Sequence, residues 1–200
     1  MFCHTEDRNK KKGAAHVENY NVLGNCLRRM YQVQVAIIIS LLLAFVPLIN
    51  FFVIVVALGA VIVNVAMLLK LRSLHPDYQN AFLAFLVGIP LILLGNGEGA
   101  FAEAMGIGGS IASLMQTYFI IRGTDSFLEE LGRDEVITKG KIAWRLMVLN
   151  SGISIVTGFM ALSGIGEMIL IAVASLLVGI VSCVFYMQYL KQGSEAFGVE

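Results

Sequence analysis

Charge is the scarcest commodity in this chain. Only 14% of its 200 residues are Asp, Glu, Lys or Arg, where soluble domains carry about 25%. The scarcity is also uneven: residues 31–69, a run of 39, contain none of the four. An uncharged apolar run of about 18 residues or more marks a transmembrane helix, so a soluble globular fold is excluded and two spans are expected there. Cysteine is sparse and odd in number, with Cys3, Cys26 and Cys183 scattered along the chain, which excludes a disulfide framework. Cys3, His4, His16 and Cys26 are zinc-type ligands, but their spacing fits no zinc pattern. Histidine numbers three, and HExxH, P-loop, GxSxG elbow and catalytic-triad signatures are all missing. The expectation is a chain that is not an enzyme and takes no cofactor. His75, before Pro76, has no sequence partner that would make it a base. The basic cluster Lys10–Lys12 is too short to argue for nucleic acid and suits a topology signal or contact with anionic lipid.

What is present is apolar: 58% of the residues are hydrophobic and the mean hydropathy is +0.80. Apolar segments fall at about 31–46, 50–69, 79–94, 99–121, 144–162 and 168–190. The connections after the first, third and fifth are short ("VPLIN", "GNGE", "SGIGE"). Those after the second and fourth are polar. With six spans, all 14 basic residues lie on the side of the termini, and the positive-inside bias puts both termini in the cytoplasm. The expected class is an all-α, polytopic integral membrane protein of the multi-pass cell-membrane type, with a bacterial inner membrane as its setting. Residues 1–29 form a cytoplasmic polar N-terminal segment and 30–197 the six-helix domain. In the longest connection Thr124 and Asp125 supply capping chemistry for a small separate helix, "SFLEEL", which Gly132 would stop.

The chain also repeats itself. Aligning Glu98 with Glu167 sets "GNG" against "GIG", Gly106 against Ser175, Ser110 against Gly179, and "RGTDSF" against "QGSEAF". Asp125 follows Glu98 by 27 residues and Glu195 follows Glu167 by 28. A fainter copy has Asn50 at the glutamate position and Asp77 a further 27 residues on. This predicts three parallel two-helix repeats, at about 27–78, 79–131 and 141–197, in a pseudo-threefold bundle. Three parallel hairpins resemble the logic of the mitochondrial carriers. Their motif Pro-x-[Asp/Glu]-x-x-[Lys/Arg] is nonetheless absent, since Pro47, Pro76 and Pro90 are followed by "LIN", "DYQ" and "LIL".

Small residues four apart, Gly106 and Ser110 in the fourth span and Ser175 and Gly179 in the sixth, are expected to pack helices closely. They predict that these two spans lie inside the bundle or against each other. "GIGGS" (106–110) lacks the context of a phosphate loop, and packing explains it better. The glycines before Glu98 and Glu167 suit a sharp reversal, and a carboxylate at a helix start is favoured by the macrodipole. Asn50, Glu98 and Glu167 would form a ring at the outer mouth, where acids attract cations. Glu103 would lie about 7 Å deeper and is the one acid that repetition does not explain. Asn64 is polar in mid-span, and Asn150, Ser151 and Ser154 form a polar patch on the fifth span. Two functions are expected to compete. One is an accessory or structural subunit acting through helix or lipid contacts, with the bilayer, a membrane-protein partner or a second copy as its partner. The other is a small transporter or channel for a cation, proton or small solute.

Overall fold

The computed structural model describes the backbone of residues 3–43, 50–97, 99–162 and 169–198, and side chains over 17–40, 54–97, 99, 101–156, 171 and 173–198. The described secondary structure is all α: α1 (Cys3–Leu43), α2 (Asn50–Leu71), α3 (Pro76–Leu94), α4 (Ala100–Glu130), α5 (Asp134–Leu162) and α6 (Ile169–Ala196). Four of these are long and apolar enough to cross a membrane, over Ile54–Leu71, Pro76–Leu94, Phe101–Glu130 and Val173–Ala196. The helices outrun the apolar segments at the charged end. At 1.5 Å per residue α4 is about 46 Å long, against a hydrocarbon thickness of about 30 Å.

The polar N-terminal segment is helical, since α1 runs unbroken from Cys3 to Leu43. One sequence expectation is corrected: no separate helix begins at Thr124, and α4 continues to Glu130. Thr124 is 0% exposed, and its hydroxyl bonds to Tyr78 rather than to a helix end. Burial of that pair outweighs the capping preference of Thr and Asp. The stop at Gly132 does occur. Its φ of 64° is left-handed, its N–H donates to the Glu129 carbonyl, and that of Arg133 donates to Leu128. Glycine is favoured at this C′ position because it carries no Cβ.

The chain divides into two compact units, Met1–Leu74 with Leu190–Glu200, and His75–Tyr189. In the first, α1 pairs with α2. Leu23, Leu27, Leu68, Leu71 and Leu190 are fully buried. Tyr20 stacks on Phe197 at 5.6 Å. Cys26 is buried with them, and burial pushes its thiol pKa up, partly countered by the charges of Lys70 and Arg29.

In the second unit α3 and α4 form a close hairpin. A Cβ added to Gly95 would meet the Gly106 Cα and N at 2.6 Å. One added to Gly109 would meet Ile92 Cγ1 at 2.7 Å, and one added to Gly88 would meet Ala112 at 3.3 Å. Glycine here serves close approach, as association without a hydrophobic drive requires. The reversal between the helices depends on a different glycine. Gly99, after Glu98, has φ 95°, whereas Gly95 keeps a right-handed helical φ of −73°. Gly106 thus packs on α3, and a Cβ on Gly179 would meet Asn150 of α5 at 3.5 Å. Among the described residues, α4 and α6 meet through Tyr189, whose hydroxyl donates to the Ile121 carbonyl and the Asp125 carboxylate. Their small residues do not make that contact.

Candidate functional site

The second unit carries a charged pocket of about 490 Å³ around the C-terminal part of α4, within the usual size range for small-ligand sites. Its wall is built by three helices. From the start of α3 come His75 and Asp77. From α4 come Tyr118, Ile121, Arg122, Asp125, Ser126 and Glu129, and from α5 come Lys141 and Trp144. Local sequence fixes the α3 edge. Pro76 occupies the first turn, and extended His75 caps the helix, its Nδ1 accepting from the Asp77 N–H at 3.3 Å. Proline is well placed there because its missing N–H would have no helical partner. The cap turns the Asp77 carboxylate toward α4, where Oδ2 lies 3.4 Å from Arg122 Nε and 3.5 Å from His75 Nδ1. Arg122 is 61% exposed, so this pair orients the wall more than it stabilises the fold.

Beside the pocket the packing is tight. Tyr78 Oη and Thr124 Oγ1 are 2.9 Å apart and buried. Tyr189 donates to Asp125 Oδ1 at 2.8 Å and to the Ile121 carbonyl at 3.0 Å. Asp125 thus has one oxygen fixed by a buried tyrosine, and the residue also lines the pocket. Three carboxylates (Asp77, Asp125, Glu129) face two permanent cations (Arg122, Lys141) across one hollow. Such a wall suits a ligand with a positive or zwitterionic group.

A second, separate hollow of about 310 Å³ lies farther along the same two helices. Gly109, Ser110, Ser113, Leu114 and Thr117 of α4 face Met147, Asn150 and Ser151 of α5, with Ile92 of α3 at one side. From Ser110 to Asp125 the two hollows together follow about 22 Å of α4. At the step between them Tyr118 and Trp144 stand with ring centroids 5.1 Å apart. Serine and threonine hydroxyls here also bond back to their own helix, Ser110 to the Gly106 carbonyl and Thr117 to Ser113. Their oxygens remain able to accept.

The residues singled out in the sequence are spread differently. Glu103 is exposed in the first turn of α4 and lines neither hollow. Its backbone N–H donates to the Gly99 carbonyl. Asn64 is half-buried on α2, in the other unit. Glu98 and Glu167 lie outside the described residues, and Asn50 is described only as the first residue of α2. Ser110 lines the second hollow. Ser175 donates to Asn150 Oδ1 at 3.0 Å, the interhelical bond that the polar patch on the fifth span suggested. The charged pocket itself was missed, although a signal for it existed. Asp77 and Asp125, the acids that recur 27 residues after the turn positions, both line it. His75 lines the pocket as the cap of α3, its Nδ1 accepting from the Asp77 N–H. Among the described residues no group of three or more His, Cys, Asp or Glu side chains is placed to hold a metal ion. Comparison with protein-family models, with curated proteins and with solved structures finds no match for this chain.

Proposed function

We propose that this chain is a non-enzymatic, multi-pass membrane protein that carries a small cationic or zwitterionic solute, or a proton, along the groove between α4 and α5. The observation that carries this reading is the succession of two hollows along α4 and α5, a charged one and then a polar one, separated by the Tyr118–Trp144 pair, inside helices that are otherwise apolar. Polar side chains at membrane depth commonly mark solute pathways when they line a cavity. In this reading six helices span the bilayer as three parallel hairpins with pseudo-threefold order, and both termini face the cytoplasm of a bacterial cell. The charged pocket then opens to the cytoplasm, while Asn50, Glu98 and Glu167 sit on the outer side, where acids concentrate cations, and Glu103 stands deeper on α4 but outside both hollows. The test is thiol accessibility. In a cysteine-free background Ser113→Cys, Thr117→Cys and Ser151→Cys should react with a membrane-impermeant thiol reagent. Leu149→Cys, on an exposed apolar position of α5, should not. If the three groove positions are as unreactive as Leu149→Cys, the groove is dry and the transport reading fails.

The accessory-subunit reading has its own support. Val148, Leu149, Gly152, Ile153, Val156 and Ile171 line a third hollow, of about 450 Å³ and almost wholly apolar. A helix of a membrane-protein partner or of a second copy would fit that surface. Purification in mild detergent with cross-linking separates the two readings, since a transporter working alone should remain monomeric.

A further inference from the structure

We propose that the groove between α1 and α2 is a binding site for an anionic phospholipid. It is a hollow of about 260 Å³ lined by Arg29, Gln32, Val33 and Ala36 of α1 and by Val56, Gly59, Ala60 and Val63 of α2. The lining is sorted along its length. Arg29 and Gln32 stand at the charged end, and everything deeper is apolar. From Arg29 to Ala36 the groove follows about 10 Å of α1. The volume lies below the range usual for a whole small ligand, so the occupant is one part of a larger molecule. The remainder would run over Val55, Leu58 and Ile62, which are 49%, 60% and 68% exposed on α2.

Charge selects the headgroup. From Asn19 to Pro76 the chain contains no Asp or Glu, yet it holds Arg28, Arg29, Lys70 and Arg72. Arg29 and Lys70 come from different helices and both act electrostatically on the thiol of Cys26. They therefore lie at the same end of the hairpin, Arg29 lining the groove itself. A guanidinium matches a phosphodiester through paired N–H donors, and Gln32 adds a neutral donor one turn deeper. Basic pockets between helices, next to an apolar surface, are how membrane proteins hold acidic lipid headgroups. Gly59 forms the floor. Among the described residues a Cβ built there meets nothing within 4 Å, so glycine at this position makes no close contact with them and leaves the hollow open.

That open floor supplies the test. The full chain, purified in detergent, is mixed with phosphatidylglycerol or with phosphatidylcholine of the same acyl chains, and bound lipid is counted by native mass spectrometry. Wild type should retain phosphatidylglycerol in preference to phosphatidylcholine. Gly59→Leu, whose Cβ meets no described atom within 4 Å, extends into the groove and should reduce that retention. Arg29→Gln should weaken it about fivefold, the effect of one basic side chain near an anionic surface. Helix content by circular dichroism verifies that both variants fold. Equal retention of the two lipids by wild type would overturn the proposal. So would a Gly59→Leu variant that binds as wild type does, because charge alone would then hold the lipid. Displacement of the lipid by glycerol phosphate at equal concentration would also overturn it, by showing a site for a free anion.

Discussion

On α4, Phe101 near one end is 65% exposed and Leu128 near the other is fully buried. On α6, Leu176 is 63% exposed and Tyr189 is fully buried. The same two helices thus pack in two ways. At their charged ends large side chains interlock, and hydroxyls pair inside the packing. Farther along, large apolar side chains point outward, and neighbouring helices touch through glycine. Water explains the first arrangement, because burying apolar surface is favourable wherever water is the alternative. Lipid explains the second on the membrane reading proposed here. Apolar side chains there lose nothing by facing outward, and contact between helices depends on fit. The candidate site sits where the two regimes meet.

The sharpest way to break this contrast is at the backbone contact of α3 with α4. Gly95→Ala places a methyl 2.6 Å from Gly106 Cα and N, and neither atom can turn aside as a side chain would. The loss should be at the upper end of the about 1–3 kcal/mol usual for overpacking, read as a lowered unfolding midpoint in mixed micelles. Gly106→Ala is the control. Its Cβ would lie 3.9 Å from Gly95, ordinary contact, so stability should stay within about 0.5 kcal/mol. Equal losses at both positions would mean that helix propensity, and not fit, limits this hairpin.

Next in size is the hydroxyl network at the charged end. Tyr189→Phe removes the donor to Asp125 and to the Ile121 carbonyl, leaving acceptors without their donor at a cost of about 1–3 kcal/mol. The matching change in the apolar region is Asn150→Ala, which frees Ser175. Hydrogen bonds between membrane helices average about 0.6 kcal/mol, so this loss should be the smaller of the two. Thermal unfolding of both variants in one detergent decides the order. If Asn150→Ala costs more, the two regions are not governed by different solvents.

The helices were legible because apolar length is a one-dimensional signal. All six apolar segments begin or end within three residues of an observed helix boundary, and Gly132 stops α4 where its sequence context indicated. The continuation of α4 through Thr124 and Asp125 was not legible. Capping preference is a local property, whereas the Tyr78 and Tyr189 partners of these two residues lie 46 and 64 positions away. The charged pocket was hidden for the same reason. His75, Asp77, Arg122 and Lys141 look like ordinary residues of polar connections until three helices bring them to one wall. The recurrence of Asp77 and Asp125 is visible in the sequence, but recurrence alone does not separate a repeated structural element from a site, and Glu103 stands out only as the acid that does not repeat.

Glu103 therefore gives the smallest and most discriminating prediction. It is exposed in the first turn of α4, where the macrodipole favours a carboxylate. The surface end of that effect is about 0.3 kcal/mol. Glu103→Gln should lower the unfolding midpoint barely, and proton or cation flux in liposomes should stay close to wild type, because Glu103 lines neither hollow of the groove. Asp125→Asn, which alters the pocket wall and the acceptor of Tyr189, should reduce flux strongly. The reverse pattern, with flux lost in Glu103→Gln and kept in Asp125→Asn, would move the pathway to the outer mouth. The contrast between the two ends would then survive as a statement about packing alone.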